Sequence, residues 1–304
     1  MSILIGQISY MPNTDVRSKR LEASRAQLAW FNKVLPNEKI VSVCQQYTSD
    51  EMRYICDNFD NVEICSYPEP IGAGAARNVI LEKFYESDYD WLFLCDDDTI
   101  IDDKYSAYSF ITDVARNPYK FQDIDAISAV EPEYHPYKKL NFEDERTLTH
   151  YKFEPRELNS GSATSIIRNI KKYYKMELYY PNVDANKGEG REDMEFLFAW
   201  LKGGLNWYTM QTMIRKSLCF DKSSIFGSDT KERDKILMHD LDVICERYAE
   251  DGINRGVGGK ITWKNFNERY NTSHRFLYIT RRRPIKFDES TTPKPKVDNS
   301  QNLF

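Results

Sequence analysis

The sequence lacks any apolar run near the ~20 residues that a membrane span needs. It opens with no basic stretch followed by an apolar one, so no signal peptide is expected. Its six cysteines, at positions 44, 56, 65, 95, 219 and 245, form no C-x-x-C pair and no zinc-like cluster. Several fall inside apolar runs, where a free thiol behaves as a small hydrophobe. These absences argue against a spanning protein or a disulfide scaffold and predict reduced thiols in a cytoplasmic protein. An excess of positive charge is missing too. The net charge is −5, which alone argues against a nucleic-acid partner.

Core-forming residues are plentiful. The 304 residues are 41% hydrophobic and 13% aromatic, enough for one large α/β domain or two small ones. The first half alternates apolar runs of strand length with amphipathic stretches. Strands are expected over Ile3–Tyr10, Lys39–Tyr47, Val62–Tyr67, Trp91–Cys95 and Asp123–Val130. Helices are expected between them: one with Leu21, Leu28, Phe31 and Leu35 on a single face and stopped by Pro36, one over Asp50–Phe59, one from about Ala75, and one around Tyr105–Arg116. Such alternation predicts a twisted, mostly parallel sheet with helices on its faces.

The run Trp91 to Cys95 reads as a strand buried on both faces. It ends in Asp96, Asp97 and Asp98. Three adjacent carboxylates repel one another, and a hard divalent cation is the natural counter-charge. An ordinary acidic turn is the plain alternative. Position favours the first reading, because ligands of open α/β sheets bind beyond the carboxyl ends of strands.

Gly72 and Gly74 stand just before a helix whose first turn carries Arg77 and Asn78. Small residues there let a phosphate or ribose approach free N–H groups. An ordinary connection would look similar. Arg17, Lys19 and Arg20 open the first helix, where cations oppose the helix dipole. They read either as an anion site or as a solvated basic turn.

The second half is less regular. Glu131 to Asn159 has no periodicity and reads as a long loop able to cover an acceptor. Asn159 to Ala163 is a tight turn, followed by a short strand at Thr164–Ile167 and a helix near Asn169–Tyr174. Glu192 and Asp193 open a further helix that ends at Gly203-Gly204. Acidic residues favour helix starts, and a rigid helix start can also hold a general base. Leu205–Phe220 reads as one or two strands. A capping box at Asp229–Glu232 starts a helix bearing Leu237, Leu241, Ile244 and Tyr248 on one face and His239 on the other. Asp251–Gly259 reads as a glycine-rich loop. Lys260 to Lys286 holds eight Lys/Arg against Glu268 alone, interleaved with aromatics, and the tail 287–304 reads as disordered. Cations with aromatics between them suit a nucleic-acid strand; a solvated basic face is the alternative. The chain is expected to divide into an α/β unit at 1–225, a helical and basic extension at 226–286, and the tail.

The order of these motifs resembles the GT-A fold glycosyltransferases of the family-two type. The resemblance rests on Gly74-Ala75-Ala76-Arg77-Asn78, Asp96-Asp97-Asp98, Ser160-Gly161-Ser162, and Glu192-Asp193 with Gly203-Gly204, over about residues 3 to 210. It implies a Rossmann-like, mostly parallel sheet, a nucleotide-binding and catalytic role for the unit 1–225, and a nucleotide-diphosphate-sugar donor, with a UDP-sugar favoured. Gly72, Gly74, Arg77, Asn78, Asp96, Asp97, Ser160 and Gly161 would bind that donor. Asp98, with Asp96, would hold Mn²⁺ or Mg²⁺. Asp193, with Glu192 beside it, would deprotonate the acceptor hydroxyl and give inversion at the anomeric carbon. The family's third metal ligand, often a histidine after the Glu-Asp helix, has no clear counterpart; His239 and His274 are the candidates. A sugar-nucleotide nucleotidyltransferase is the competing enzyme class, although residues 10–19 contain no glycine for its loop. For the acceptor, the basic segment 260–286 next to an acidic remainder points to DNA. By association with phage enzymes, a hydroxymethylated pyrimidine is the expected acceptor. A cytosolic polysaccharide or lipopolysaccharide is the alternative.

Overall fold

A computed structural model of the chain describes residues 2–12, 15–101, 124–130, 149–152, 164–181, 192–211, 214–216, 230–255, 261–262, 265 and 275–278. In chain order the elements begin with β1 (Ile3–Tyr10), α1 (Arg17–Val34), β2 (Ile40–Gln45), α2 (Ser49–Asn58), β3 (Val62–Tyr67), α3 (Ala73–Glu86) and β4 (Trp91–Asp96). Then come β5 (Thr99–Ile101), β6 (Ala126–Val130), β7 (Thr149–Lys152), β8 (Ser165–Arg168), α4 (Ile170–Tyr174) and α5 (Glu192–Lys202). The last are β9 (Trp207–Gln211), β10 (Ile214–Lys216), α6 (Thr230–Arg247), β11 (Asn254–Arg255), β12 (Ile261–Thr262) and β13 (Arg275–Tyr278).

Nine strands form one sheet in the order β3-β2-β1-β4-β8-β6-β9-β13-β7. β3, β2, β1 and β4 are parallel neighbours. β8 runs antiparallel between β4 and β6, and β7 is antiparallel to β13. The chain leaves β1 towards β2 and β3, then returns to place β4 on the other side of β1. The carboxyl ends of β1 and β4 thus flank a topological switch point, where an open α/β sheet has its crevice.

Strand alternation sends neighbouring residues to opposite faces. Ile3, Ile5, Ile40, Trp91 and Phe93 pack with Leu28 and Phe31 of α1. Leu4, Val41, Val43, Leu92 and Leu94 pack on the other face with Ile80 and Phe84 of α3 and Phe196 and Trp200 of α5. Both faces are covered, which is why these strands read as continuous apolar runs rather than alternating ones. Gly6 is required by this packing: a Cβ there would lie 2.5 Å from the Ile80 side chain, so α3 could not sit so close to β1.

Several expected elements lie wholly or partly outside the described residues: the helix at 105–116, the turn at 160–163, the start of the capping box at 229, the glycines at 256–259 and the tail. Within the stretch 131–159, read as a loop, Thr149–Lys152 is the strand β7. Within the basic segment 260–286, Arg275–Tyr278 is β13 and lies between β9 and β7 in the main sheet.

Candidate functional site

The acidic turn sits at the switch point. Asp96 is the last residue of β4, and the Asp97 N–H donates to the Ile8 carbonyl at 3.0 Å, which ties the turn to β1. Asp97 is buried, and Asp96 and Asp98 on either side of it are half-buried. The three carboxylates are therefore not equivalent.

Asp97 faces α1. Ser9 Oγ donates to its Oδ2 at 2.6 Å, and the Arg20 guanidinium donates to its Oδ1 at 2.7 Å. Arg20 Nε also donates to the Tyr10 carbonyl at 3.0 Å. Burial pushes Asp97 up to about 7 against the pull of Arg20, and Asp98 adds to the rise. Burial works against the Arg20 charge, but Asp97, Asp98 and Asp96 outweigh it and raise the guanidinium's affinity for its proton. Tyr47 and Ser24 hydroxyls complete this pocket, with Ser9 and Tyr47 2.6 Å apart and Tyr47 donating to Ser24 at 3.0 Å.

One helical turn along, Gln27 holds the backbone of the same acidic turn. Its Nε2 donates to the Asp96 carbonyl at 2.9 Å and to the Thr99 carbonyl at 2.8 Å. Gln7 Nε2 donates to Gln27 Oε1 at 2.7 Å, and Ser42 Oγ donates to Gln7 Oε1 at 2.8 Å. Arg20, Ser24 and Gln27 recur at helical spacing, and Gln7 and Ser9 occupy alternate positions of β1, so two regular elements meet along one buried polar seam. All five are buried.

Asp96 meets a different partner. The buried Arg77, in the first turns of α3, donates to Asp96 Oδ1 at 2.7 Å and, through its other terminal nitrogen, to Glu192 Oε1. One guanidinium thus joins the end of β4 to the start of α5. Burial disfavours its charge, but Asp96 and Glu192 together hold it firmly protonated. Burial pushes Glu192 up to about 7; Arg77 opposes this and the neighbouring Asp193 adds to it. Asp193 is half-buried, and its Oδ1 accepts from the Met194 N–H at 2.8 Å.

The expected site residues divide accordingly. Asp96, Arg77 and Glu192 are brought together, with Asp98 and Asp193 beside them in the chain. Asn78 is engaged elsewhere: its Nδ2 donates to the Tyr180 carbonyl at 2.8 Å and its Oδ1 accepts from the Tyr180 N–H at 2.7 Å. The Tyr180 ring stacks on Phe196 at 3.9 Å and carries the Arg77 guanidinium 5.2 Å from its centroid. Gly72 caps α3 with φ of +85°, which a side chain would strain, and Gly74 is buried in the first turn. Gln45 Oε1 accepts from the Ile71 N–H at 2.8 Å and so fixes the approach to that glycine. Ser160, Gly161 and His274 lie outside the described residues. His239 sits half-buried on α6. Among the described residues, no three His, Cys, Asp or Glu side chains group to hold a metal ion, so His239 does not join Asp96 and Asp98.

At the start of α1, Arg17 and Arg20 are engaged within the chain, and Lys19 is exposed. Arg17 donates to Glu51 at 2.5 Å and to the carbonyls of Met11 and Gln46, both at 2.9 Å, while Arg20 holds Asp97. Glu51 also completes the capping box of α2 with Thr48. Arg17 therefore stitches together the loops that follow β1 and β2.

The sequence matches no protein-family model and no curated protein. Among solved structures, the mannosyltransferase PcManGT from Pyrobaculum calidifontis, solved with GDP-Man and Mn²⁺, is similar with a TM-score of 0.50 and 12% identity, over 80% of this chain and 64% of that one. Residues 1–349 of TarS from S. aureus, solved with UDP-GlcNAc, are similar with a TM-score of 0.41 and 17% identity, over 66% of this chain and 54% of that one. The match thus spans between about half and two thirds of these two chains' own lengths. The fold is GT-A. Its mixed, mostly parallel sheet with helices on both faces is the architecture that the motif order led us to expect.

Proposed function

We propose that the chain is a metal-dependent glycosyltransferase that moves a sugar from a nucleotide-diphosphate donor to an acceptor hydroxyl. The observation that carries this reading is the Arg77 bridge at the switch point of a GT-A sheet. It joins the acidic turn after β4 to the acidic start of α5. A donor-side carboxylate cluster and a candidate base are thereby held on one rigid frame, as positioning of reacting groups requires. The similarity to PcManGT, whose structure holds GDP-Man and Mn²⁺, supports the same reading.

The residues fit a Mg²⁺ or Mn²⁺ ion. Asp96 and Asp98 offer hard oxygen donors, and such ions are often held by one or two carboxylates together with substrate phosphates rather than by an all-protein cage. Bound there, the ion would neutralise charge on the leaving nucleoside diphosphate. The chain's own part is to orient and to move a proton. Gly72 and Gly74 admit the donor closely, Arg77 fixes Asp96 relative to α5, and Asp193 takes the proton from the acceptor oxygen with inversion at the sugar. Support for the acceptor is confined to sequence. The basic, aromatic segment 260–286 favours DNA, association with phage enzymes alone points to a hydroxymethylated pyrimidine, and a polysaccharide or lipopolysaccharide is the alternative. No helix among the described residues is long and apolar enough to cross a membrane.

Incubation with pooled UDP- and GDP-sugars and Mn²⁺, with and without hydroxymethylated DNA, tests both levels. Metal-dependent release of UDP or GDP supports the glycosyltransferase, and a sugar mass increment on the released nucleosides supports the DNA acceptor. Absence of nucleotide release and of donor binding with every sugar and metal would overturn the reading.

A further inference from the structure

We infer that Arg20, Ser9 and Gln27 are positioning residues for the metal and donor, acting from behind the acidic turn without touching either. The inference rests on the glycosyltransferase reading and deepens it. Arg20 and Ser9 occupy both oxygens of Asp97, so that side chain is committed to the interior. Gln27 holds the carbonyls of Asp96 and Thr99, the residues on either side of the Asp97-Asp98 pair. The backbone carrying Asp96 and Asp98 is thus fixed at both ends and in the middle. Arg20 also holds the Tyr10 carbonyl, the last residue of β1, so the two strand ends that flank the crevice are locked to one helix.

A seam of buried polar groups is an unusual use of the face that carries Leu28, Phe31 and Phe93 into the core. Apolar side chains would fill the same space with no hydrogen bonds to satisfy. What the polar groups supply is direction. A carboxylate turn that must present two oxygen donors in fixed positions needs partners that fix its own dihedrals. Metal sites show the same dependence, because groups behind the ligands hold their orientation.

The test uses the full chain with Mn²⁺ and UDP or GDP as probes. Binding is followed by the electron paramagnetic resonance signal of free Mn²⁺ and, separately, by donor turnover. In Arg20→Lys, one ammonium cannot reach both Asp97 and the Tyr10 carbonyl with the geometry of the guanidinium. Its Mn²⁺ dissociation constant in the presence of nucleotide, and its donor KM, should rise about 10- to 100-fold. kcat at saturating metal should stay within a few-fold of wild type. Arg20→Ala should respond likewise and regain part of its Mn²⁺ affinity when guanidinium at low millimolar concentration is added. Should both Arg20 variants melt below the assay temperature, Ser9→Ala carries the test, since it removes one partner of Asp97 and leaves the other. Folded variants that bind Mn²⁺ and nucleotide as wild type does would overturn the positioning role and leave the glycosyltransferase reading intact. A wild-type protein that binds neither UDP nor GDP with Mn²⁺ would overturn both.

Discussion

Arg20 and Arg77 are two buried guanidiniums beside the same acidic turn, and they do different things. Arg20 pairs with one carboxylate, Asp97, whose other oxygen accepts from Ser9. It also donates to the Tyr10 carbonyl, so the unit ties the acidic turn to the end of β1. Arg77 is divided between two carboxylates from separate elements, Asp96 and Glu192. Burial pushes Glu192 up although Arg77 opposes it, and Asp193 adds to the rise. The first guanidinium fixes the turn from the interior, and the second ties it to the start of α5. On the proposed reading, the back of the turn is a mount and the front is where a metal and a diphosphate would bind.

If this division is right, the largest effect belongs to the front. Asp193→Asn removes the proton acceptor while keeping size and the start of α5, and should lower kcat by about 10²- to 10⁴-fold with donor affinity little changed. Unaltered turnover in pre-steady-state measurements would make Asp193 a structural residue instead. Next comes Arg77→Met, which leaves the buried Glu192 and the half-buried Asp96 without their shared partner. Breaking a buried pair in this way should remove about 3–5 kcal/mol of stability, read by urea denaturation. A loss below about 1 kcal/mol would mean that the bridge does not hold α5 to the sheet.

Asn78→Ala tests a residue that the sequence assigned to the donor and the structure ties to Tyr180. Losing both backbone contacts should cost about 1–3 kcal/mol of stability. Donor KM should follow only as far as Tyr180 shifts against Arg77. A large KM effect at unchanged stability would return Asn78 to the donor site.

The last prediction is a pH dependence. Glu192 is raised from 4.5 to about 7, so the folded state keeps a proton that the unfolded chain releases within that window. The folded protein then binds more protons, and stability contributed by this group falls as pH rises from about 4.5 to about 7. Asp97, also raised to about 7, adds a slope of the same sign, so melting temperatures measured in EDTA should fall across this window and Glu192→Gln should make the fall shallower without removing it. A slope identical in the two proteins would show that Glu192 titrates normally beside Arg77.

The first half of the fold was legible because its strands and helices carry strong local periods. Ile3–Tyr10 and Val62–Tyr67 have the expected bounds, and α1 stops just before Pro36 as expected. The acidic turn was legible as the end of a buried strand, and it lies at the switch point of the sheet. Its mount was not. Arg20, Ser24 and Gln27 look like a solvated stripe on α1, because their partners Asp97, Tyr47 and Gln7 are distant in sequence. A signal did exist: Gln7 and Ser9 interrupt an otherwise apolar strand at alternate positions, with a polar stripe on the helix that follows. The Asn78 contact with Tyr180 spans 102 residues, and no local pattern marks it. β7 and β13 were missed for a related reason. Their charged and aromatic residues form strands through pairing across more than a hundred residues, which local propensity does not report.

The most direct test of the central claim is a titration of UDP and GDP into the metal-free protein, repeated with Mn²⁺, for wild type and Asp98→Ala. If the front of the acidic turn holds a metal and a diphosphate, one nucleotide binds wild type in a Mn²⁺-dependent manner. Asp98→Ala then loses that binding while melting at the wild-type temperature. Equal binding by Asp98→Ala, or nucleotide binding that ignores Mn²⁺ in both proteins, would contradict the account.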